Sequence, residues 1–143
     1  MRVPLLTAAL GFTLVAAAAP DARAQATASP IAGAYELVSV DGHAIPYAPV
    51  HPGRPADAPP GPEVVASTMM VRADGSFVMA MAYRMGTGEA QIFRAMPFSG
   101  TTRAEGDGWV ATWQGAGETP LTLARDTLVM NNEGMLFRYV KRG

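Results

Sequence analysis

Short β-prone runs separated by glycine turns fill the chain from Gly33 onward, and this pattern constrains its fold most. Pairs such as Asp41-Gly42 favour tight hairpins, because a type I′ turn needs positive φ angles that Asp tolerates and Gly prefers. Eight runs follow one another with no helical-period segment among them, which is typical of an antiparallel all-β protein. The runs are Ala34–Val40, Glu63–Arg72, Ser76–Met85, Glu89–Ser99, Trp109–Gln114, Thr119–Ala124, Thr127–Asn131 and Met135–Lys141.

Alternation within the runs predicts which side chains face the interior. In the run Ser76–Met85 the large side chains of Phe77, Met79, Met81 and Tyr83 share one side of the strand. Eight such strands can close into a barrel, which removes exposed edges and either fills its interior or holds one small ligand. We therefore predict an eight-stranded antiparallel up-and-down barrel.

One segment, residues 46–62, interrupts this rhythm. Seven of its 17 residues are proline. Proline cannot donate a hydrogen bond to a strand ladder, so this stretch cannot be a central strand. Loops of this length are usually functional lids or disordered segments. We expect a proline-rich loop near the opening of the barrel.

The first 24 residues have the features of a secretory signal peptide. Arg2 gives a positive start, Leu5–Ala19 is apolar, and Ala22-Arg23-Ala24 offers small residues to a signal peptidase. About 15 apolar residues are too few for a membrane span, which needs about 20. We expect cleavage after Ala24, a flexible segment at 25–32 and a single barrel domain at 33–142. The protein would then be secreted or periplasmic, without a membrane anchor.

Composition excludes several function classes. The chain has 11 basic and 12 acidic residues, a net charge of -1 and no cysteine. It therefore lacks the basic footprint of a nucleic-acid-binding protein and has no disulfide, thiolate metal site or cysteine nucleophile. Neither a Gly-x-Ser-x-Gly elbow nor a complete dinucleotide or P-loop motif is present. We expect no enzymatic activity, no cofactor and no nucleic-acid partner.

A small apolar or amphipathic ligand in the barrel mouth is the favoured function. Binding pockets of this kind are mostly apolar with a few placed polar groups. Tyr83, Arg94, Trp109 and Trp113 combine these properties, and we predict that they line the pocket. The alternative is a protein-interaction module with a filled barrel. The sequence does not identify its protein partner.

The eight methionines after Met1 raise a second, less favoured alternative. Met79 and Met81 project two thioethers from one strand side, and soft sulfur ligands suit Cu(I). His43 would complete such a site in a periplasmic Cu(I)-binding protein. Core packing is the favoured role of the pair, because methionine fills irregular apolar space.

The segment Gly33–Leu37, which reads Gly-Ala-Tyr-Glu-Leu, resembles the opening of bacterial lipocalin-like domains, which are secreted or periplasmic. Ile45-Pro46, an Asp-Gly-Ser-Phe hairpin at 74–77 and Phe-Arg-Tyr at 137–139 extend the likeness over most of residues 33–142. The resemblance implies a barrel in which an aromatic side chain of the first strand packs against an arginine near the barrel's end. By order along the chain, Tyr35 and Arg138 hold these positions. We expect them, with Gly33 at the strand entrance, to close the barrel.

Overall fold

The computed structural model describes residues 27–86 and 88–143, so the predicted signal peptide lies outside the described residues. Nine strands and one 3-10 turn, Gly88–Ala90, make up its regular structure, and none of the described residues forms an α-helix. No helix in that part of the chain could therefore cross a membrane. The strands are β1 (Gly33–Val40), β2 (His43–Ala44), β3 (Glu63–Val71), β4 (Ser76–Met85), β5 (Ile92–Glu105), β6 (Gly108–Trp113), β7 (Glu118–Ala124), β8 (Thr127–Asn132) and β9 (Met135–Arg142).

Eight of the strands form a closed antiparallel barrel, which confirms the predicted fold. Neighbours follow chain order from β3 to β9, and β1 pairs with both β3 and β9. The closing register sets Tyr35 opposite Lys141 and Val40 opposite Phe137. The two-residue strand β2, which the sequence analysis missed, folds back on β1 as a short hairpin.

Strand β5 differs most from its prediction, because it continues through Gly100 and beyond the predicted end at Ser99. A Cβ at this glycine would overlap the backbone oxygen of Thr112 and lie 2.8 Å from the ring of Phe77. Gly100 therefore allows the close approach of β6 to β5. As a result β5 runs on to Glu105, 14 residues in all.

The inward side chains form one continuous core. The predicted alternation of β4 is confirmed at Phe77, Met79 and Met81, which are all buried. Tyr139 from β9 joins them, and its hydroxyl bonds to Ser67 at 3.0 Å and donates to the sulfur of Met79 at 3.4 Å. Burial raises the pKa of Tyr139 to about 12, since the interior disfavours its phenolate.

One end of the barrel, which we term the closed end, is sealed by the chain that precedes β1. Ile31 is fully buried within the core. The hydroxyl of Tyr35 donates to the carbonyl of Ile31 at 2.8 Å, and the backbone N–H of Ser29 donates to Ala73 at the same distance. Within the segment 25–32, which was predicted to be flexible, residues 29–32 contact the barrel because Ile31 is buried in its core.

The structure does not place Arg138 opposite Tyr35, where the predicted closure of the barrel needed it. Arg138 is exposed on the outer side of β9 and lies opposite Ser39, four residues along β1 from Tyr35. Inward and outward side chains alternate, so a residue adjacent to buried Tyr139 must point outward. Lys141 takes the expected position instead, with Nζ 6.0 Å from the centre of the Tyr35 ring. A Cβ at Gly33 would overlap Cε of Lys141, so this glycine makes room for the lysine.

Candidate ligand site at the open end

The opposite end of the barrel, the open end, contains two adjoining cavities. The turn-side cavity, about 400 Å³, lies against the β6–β7 and β8–β9 turns, and the loop-side cavity, about 340 Å³, lies beneath residues 46–62. Both are lined by Tyr83, Asn132 and Phe137. Together they form the mouth of the barrel, and the loop lies at the opening as predicted.

The turn-side cavity is apolar and aromatic on its inner wall. Met79 and Met81 form part of this wall together with Phe98 and Trp113. The ring of Trp113 packs edge-on against Phe98, with centroids 6.0 Å apart. Its indole N–H donates to the buried hydroxyl of Thr119 at 2.7 Å, which satisfies the only polar group of the side chain. The tryptophan is therefore held in one orientation at the mouth.

The loop-side cavity combines apolar strand residues with polar groups from the loop. Met85, Arg94 and Met96 contribute from the β4–β5 hairpin. The loop contributes His51 and Arg54, along with prolines. Tyr83 separates this cavity from the turn-side cavity, and burial raises the pKa of its hydroxyl. Its phenol is thus a neutral hydrogen-bonding group at neutral pH.

The loop is attached to the barrel at its start. Tyr47 and Val64 exchange two backbone hydrogen bonds of 3.0 and 2.8 Å, which form an isolated antiparallel bridge. The ring of Tyr47 also stacks on His43, with centroids 4.4 Å apart. Farther along, a guanidinium N–H of Arg54 donates to the carbonyl of Pro59. The prolines therefore do not prevent the loop from making specific contacts.

A gap between β5 and β6 opens the mouth sideways. The last backbone hydrogen bond between them joins Gln114 N–H to the carbonyl of Ser99, at 2.9 Å. Before Ser99, β5 pairs with β4 alone among the described strands. Since backbone N–H and C=O groups alternate in direction along a strand, those of Phe93 and Ala95 point to this open edge. Pro97 presents no N–H there, which makes the edge a poorer template for another strand.

Charge is unevenly distributed around the mouth. The loop-side cavity is lined by Arg54 and Arg94 and by no carboxylate. The turn-side cavity is lined by Glu118 and Glu133 and by no arginine or lysine. Glu118 is paired with Arg103 at 2.7 Å, and this hydrogen bond holds the pKa of its carboxyl below the usual value.

Three of the four predicted lining residues lie at the mouth. Tyr83 lines both cavities, Arg94 the loop-side cavity and Trp113 the turn-side cavity. Trp109 lines neither and lies opposite Leu121, toward the closed end. It shares a strand side with Trp113, but four residues separate them by about 13 Å along the strand. Alternation specifies the side of a strand, but not the height along the barrel.

Several mouth residues were missed by the sequence analysis. Arg54 was overlooked because its loop was judged by proline content, although it is a lone cation among apolar residues. Asn132 and Phe137 come from β8 and β9, and their position depends on how far each strand extends. Only the cationic residue in the loop carried a usable signal in the sequence.

The methionine pair lies in the core, and the structure separates it from His43. Met79 and Met81 are both buried, and the sulfur of Met79 accepts the hydrogen bond from Tyr139. His43 is exposed on β2 and stacks on Tyr47. These positions favour core packing for the pair. Within the described ranges no cluster of three histidine, aspartate or glutamate side chains could hold a metal ion.

Comparison with known protein families, with curated proteins and with solved structures finds no match for this chain. The likeness to lipocalin-like domains therefore stays a prediction from short motifs. Any function must be argued from the barrel and the geometry of its mouth.

Proposed function

We propose that this chain is a secreted or periplasmic, lipocalin-like carrier that holds a small apolar or amphipathic molecule in the mouth of its barrel. The observation that carries the proposal is the pair of adjoining cavities at the open end, about 400 and 340 Å³, which share three lining residues. Small-molecule pockets are typically of this size, apolar, and equipped with a few polar groups.

The contrast between interior and mouth supports this proposal. A barrel that serves only as a stable scaffold gains most by filling its interior, because each cavity costs packing energy. Here Tyr139 is fully buried in the core, whereas Asn132 and Tyr83 are only half-buried at the mouth. Their polar groups are placed where a ligand could bond to them. The gap beside β5 gives such a ligand a route in.

Calorimetric titration with decanol, a neutral amphipathic probe, tests this proposal. We expect saturable binding with one molecule per chain. The variant Asn132→Trp should abolish it by filling the wall that both cavities share. The matched control Leu136→Trp changes a residue that is 46% exposed on the outer side of β9 and should bind decanol as the wild type does. Binding that survives Asn132→Trp would contradict the mouth as the site.

Intact-mass measurement of the protein exported by its own cells tests the location. We expect a chain that starts at Gln25, since small residues at Ala22 and Ala24 suit a signal peptidase. Native mass spectrometry of the same sample should show added mass from a retained small molecule. Recovery of the full-length chain in a membrane fraction would contradict export as a soluble carrier.

A second candidate, a protein-interaction module, is favoured by a trough of about 590 Å³ on the outer side of β1, β3, β4 and β5. Met70 and Val78 are cross-strand neighbours in it and are 45% and 41% exposed. Exposed apolar patches often mark binding surfaces. If this surface carries the function, Val78→Asp should release a co-purifying partner and leave decanol binding unchanged.

A further inference from the structure

We propose that the ligand is an amphipathic anion, whose head group is bound by Arg54 and Arg94 and whose apolar tail occupies the turn-side cavity. This inference rests on the proposed function, since it names the chemical class that the mouth selects. It follows from the charges, the anchoring of Arg54 and the apolar wall of the turn-side cavity.

Arg54 is positioned by the loop rather than left free in solvent. Its side chain donates to the carbonyl of Pro59 and is half-buried. A Cβ at Gly61 would lie 2.8 Å from one of its terminal nitrogens, so the glycine leaves space for the guanidinium. A backbone turn, from Arg54 N–H to the carbonyl of His51 at 3.1 Å, sets its direction. The proline-rich loop thus presents one ordered cation to the loop-side cavity.

Arg94 supplies a second cation from the barrel wall. It lies on β5 opposite Tyr83, and both side chains line the loop-side cavity. Four ion pairs occur among the described residues, and they use Arg84, Arg103 and Arg142. Arg54 and Arg94 therefore have no carboxylate partner within that part of the chain. An arginine guanidinium matches a carboxylate or phosphate in geometry and charge.

The rest of the mouth determines the orientation of such a ligand. Glu133 borders the turn-side cavity without an ion-pair partner among the described residues, whereas Glu118 is paired with Arg103. An anionic head group is therefore disfavoured near Glu133. Its apolar wall of Met81, Phe98 and Trp113 accepts an alkyl or aromatic tail. The two cavities adjoin at Tyr83, Asn132 and Phe137, which line both of them, so a ligand in one cavity lies next to the other. An amphipathic anion therefore satisfies both cavities at once.

The test compares three probes with one tail and different head groups: decanoate, decanol and decylammonium, titrated into the full mature chain at neutral pH and low salt. We expect decanoate to bind at least about tenfold more tightly than decanol, since charge-assisted hydrogen bonds are stronger than neutral ones. Decylammonium should bind more weakly than decanol. Added salt should reduce the preference for decanoate.

Variants locate the head group. Arg94→Gln and Arg54→Gln should each lower decanoate affinity about tenfold and change decanol affinity less than about twofold. Arg94→Glu should favour decylammonium over decanoate. The matched control Arg138→Gln removes an exposed arginine from the outer side of β9 and should change neither affinity.

The outcomes separate this inference from the function on which it rests. Equal binding of decanoate and decanol would overturn the anionic head group and leave the carrier function standing. Decanoate selectivity that persists in both glutamine variants would overturn the assignment to Arg54 and Arg94. Failure of all three probes to bind would overturn the proposed function together with this inference.

Discussion

The two ends of the barrel are built from the same strands, but only one of them is sealed. At the closed end Ile31 is fully buried, and Tyr35 anchors its backbone by a hydrogen bond. At the open end β5 extends past β6, and Ile92 at its start is 52% exposed. The closed end fills its interior with side chains from the chain itself. The open end leaves space between its strands and the loop, and the proposed ligand would occupy this space.

The largest expected difference is in the free energy of unfolding, when one isoleucine from each end is replaced by alanine. Ile31→Ala should lower the free energy of unfolding by about 2–5 kcal/mol, because it leaves a cavity in a fully packed region. Ile92→Ala should change it by less than about 0.5 kcal/mol, since this side chain is exposed. Urea denaturation of both variants measures the difference. Similar losses would show that the open end contributes as much to stability as the closed end.

Alkaline pH should distinguish the core tyrosine from the mouth tyrosine. The pKa of Tyr139 rises from 10.0 to about 12 in the folded chain, so above pH 10 the folded state holds its proton more tightly than the unfolded state. Stability is then fully present below pH 10 and falls by about 2–3 kcal/mol as the pH approaches 12. Tyr139→Phe should make this decline shallower.

The matched variant Tyr83→Phe provides the control for this alkaline decline. Tyr83 is half-buried at the mouth, and its pKa is raised by burial alone. Its removal should affect the decline less than removal of Tyr139. Thermal unfolding between pH 9 and 12, measured against each variant's own value at pH 9, compares them. An equal effect of the two substitutions would contradict the assignment of Tyr139 as the more strongly buried group.

A smaller difference in stability is expected between the two methionines, Met79 and Met81. Met81→Leu preserves volume and apolarity and should cost less than about 1.5 kcal/mol. Met79→Leu should cost more than Met81→Leu, because the hydroxyl of Tyr139 loses its sulfur acceptor but keeps its contact with Ser67. Thermal melting measures both. Tight uptake of one Cu(I) by the wild type and none by the double variant would contradict a purely structural role.

The smallest expected change in stability compares Lys141 and Arg138, two of the three cationic residues of β9. Lys141→Met should lower stability by about 0.5–1 kcal/mol, because it removes the cation over the Tyr35 ring. Arg138→Met should change the free energy of unfolding by less than about 0.5 kcal/mol, since this side chain is exposed on the outer face. Chemical denaturation compares them. A larger loss of stability at Arg138 would contradict its assignment as an exposed side chain without a stabilising contact.

The sequence by itself determined the fold, because its information is local. Turn residues such as Asp41-Gly42 and Asp74-Gly75 divide the chain into hairpins, and alternation assigns Phe77 and Met79 to the interior whatever surrounds them. The same alternation puts Trp109 and Trp113 on one side of β6, but it does not give their height along the barrel.

Only the tertiary structure decided the matters that depend on position along the barrel axis. Strand lengths and register bring Lys141, not Arg138, opposite Tyr35, and they place Trp113 at the mouth but Trp109 toward the closed end. Whether Ile31 is buried depends on the end of the barrel that it meets, and whether Arg54 faces a cavity depends on how its loop folds. These contacts join residues that are distant in sequence, and no local pattern encodes them.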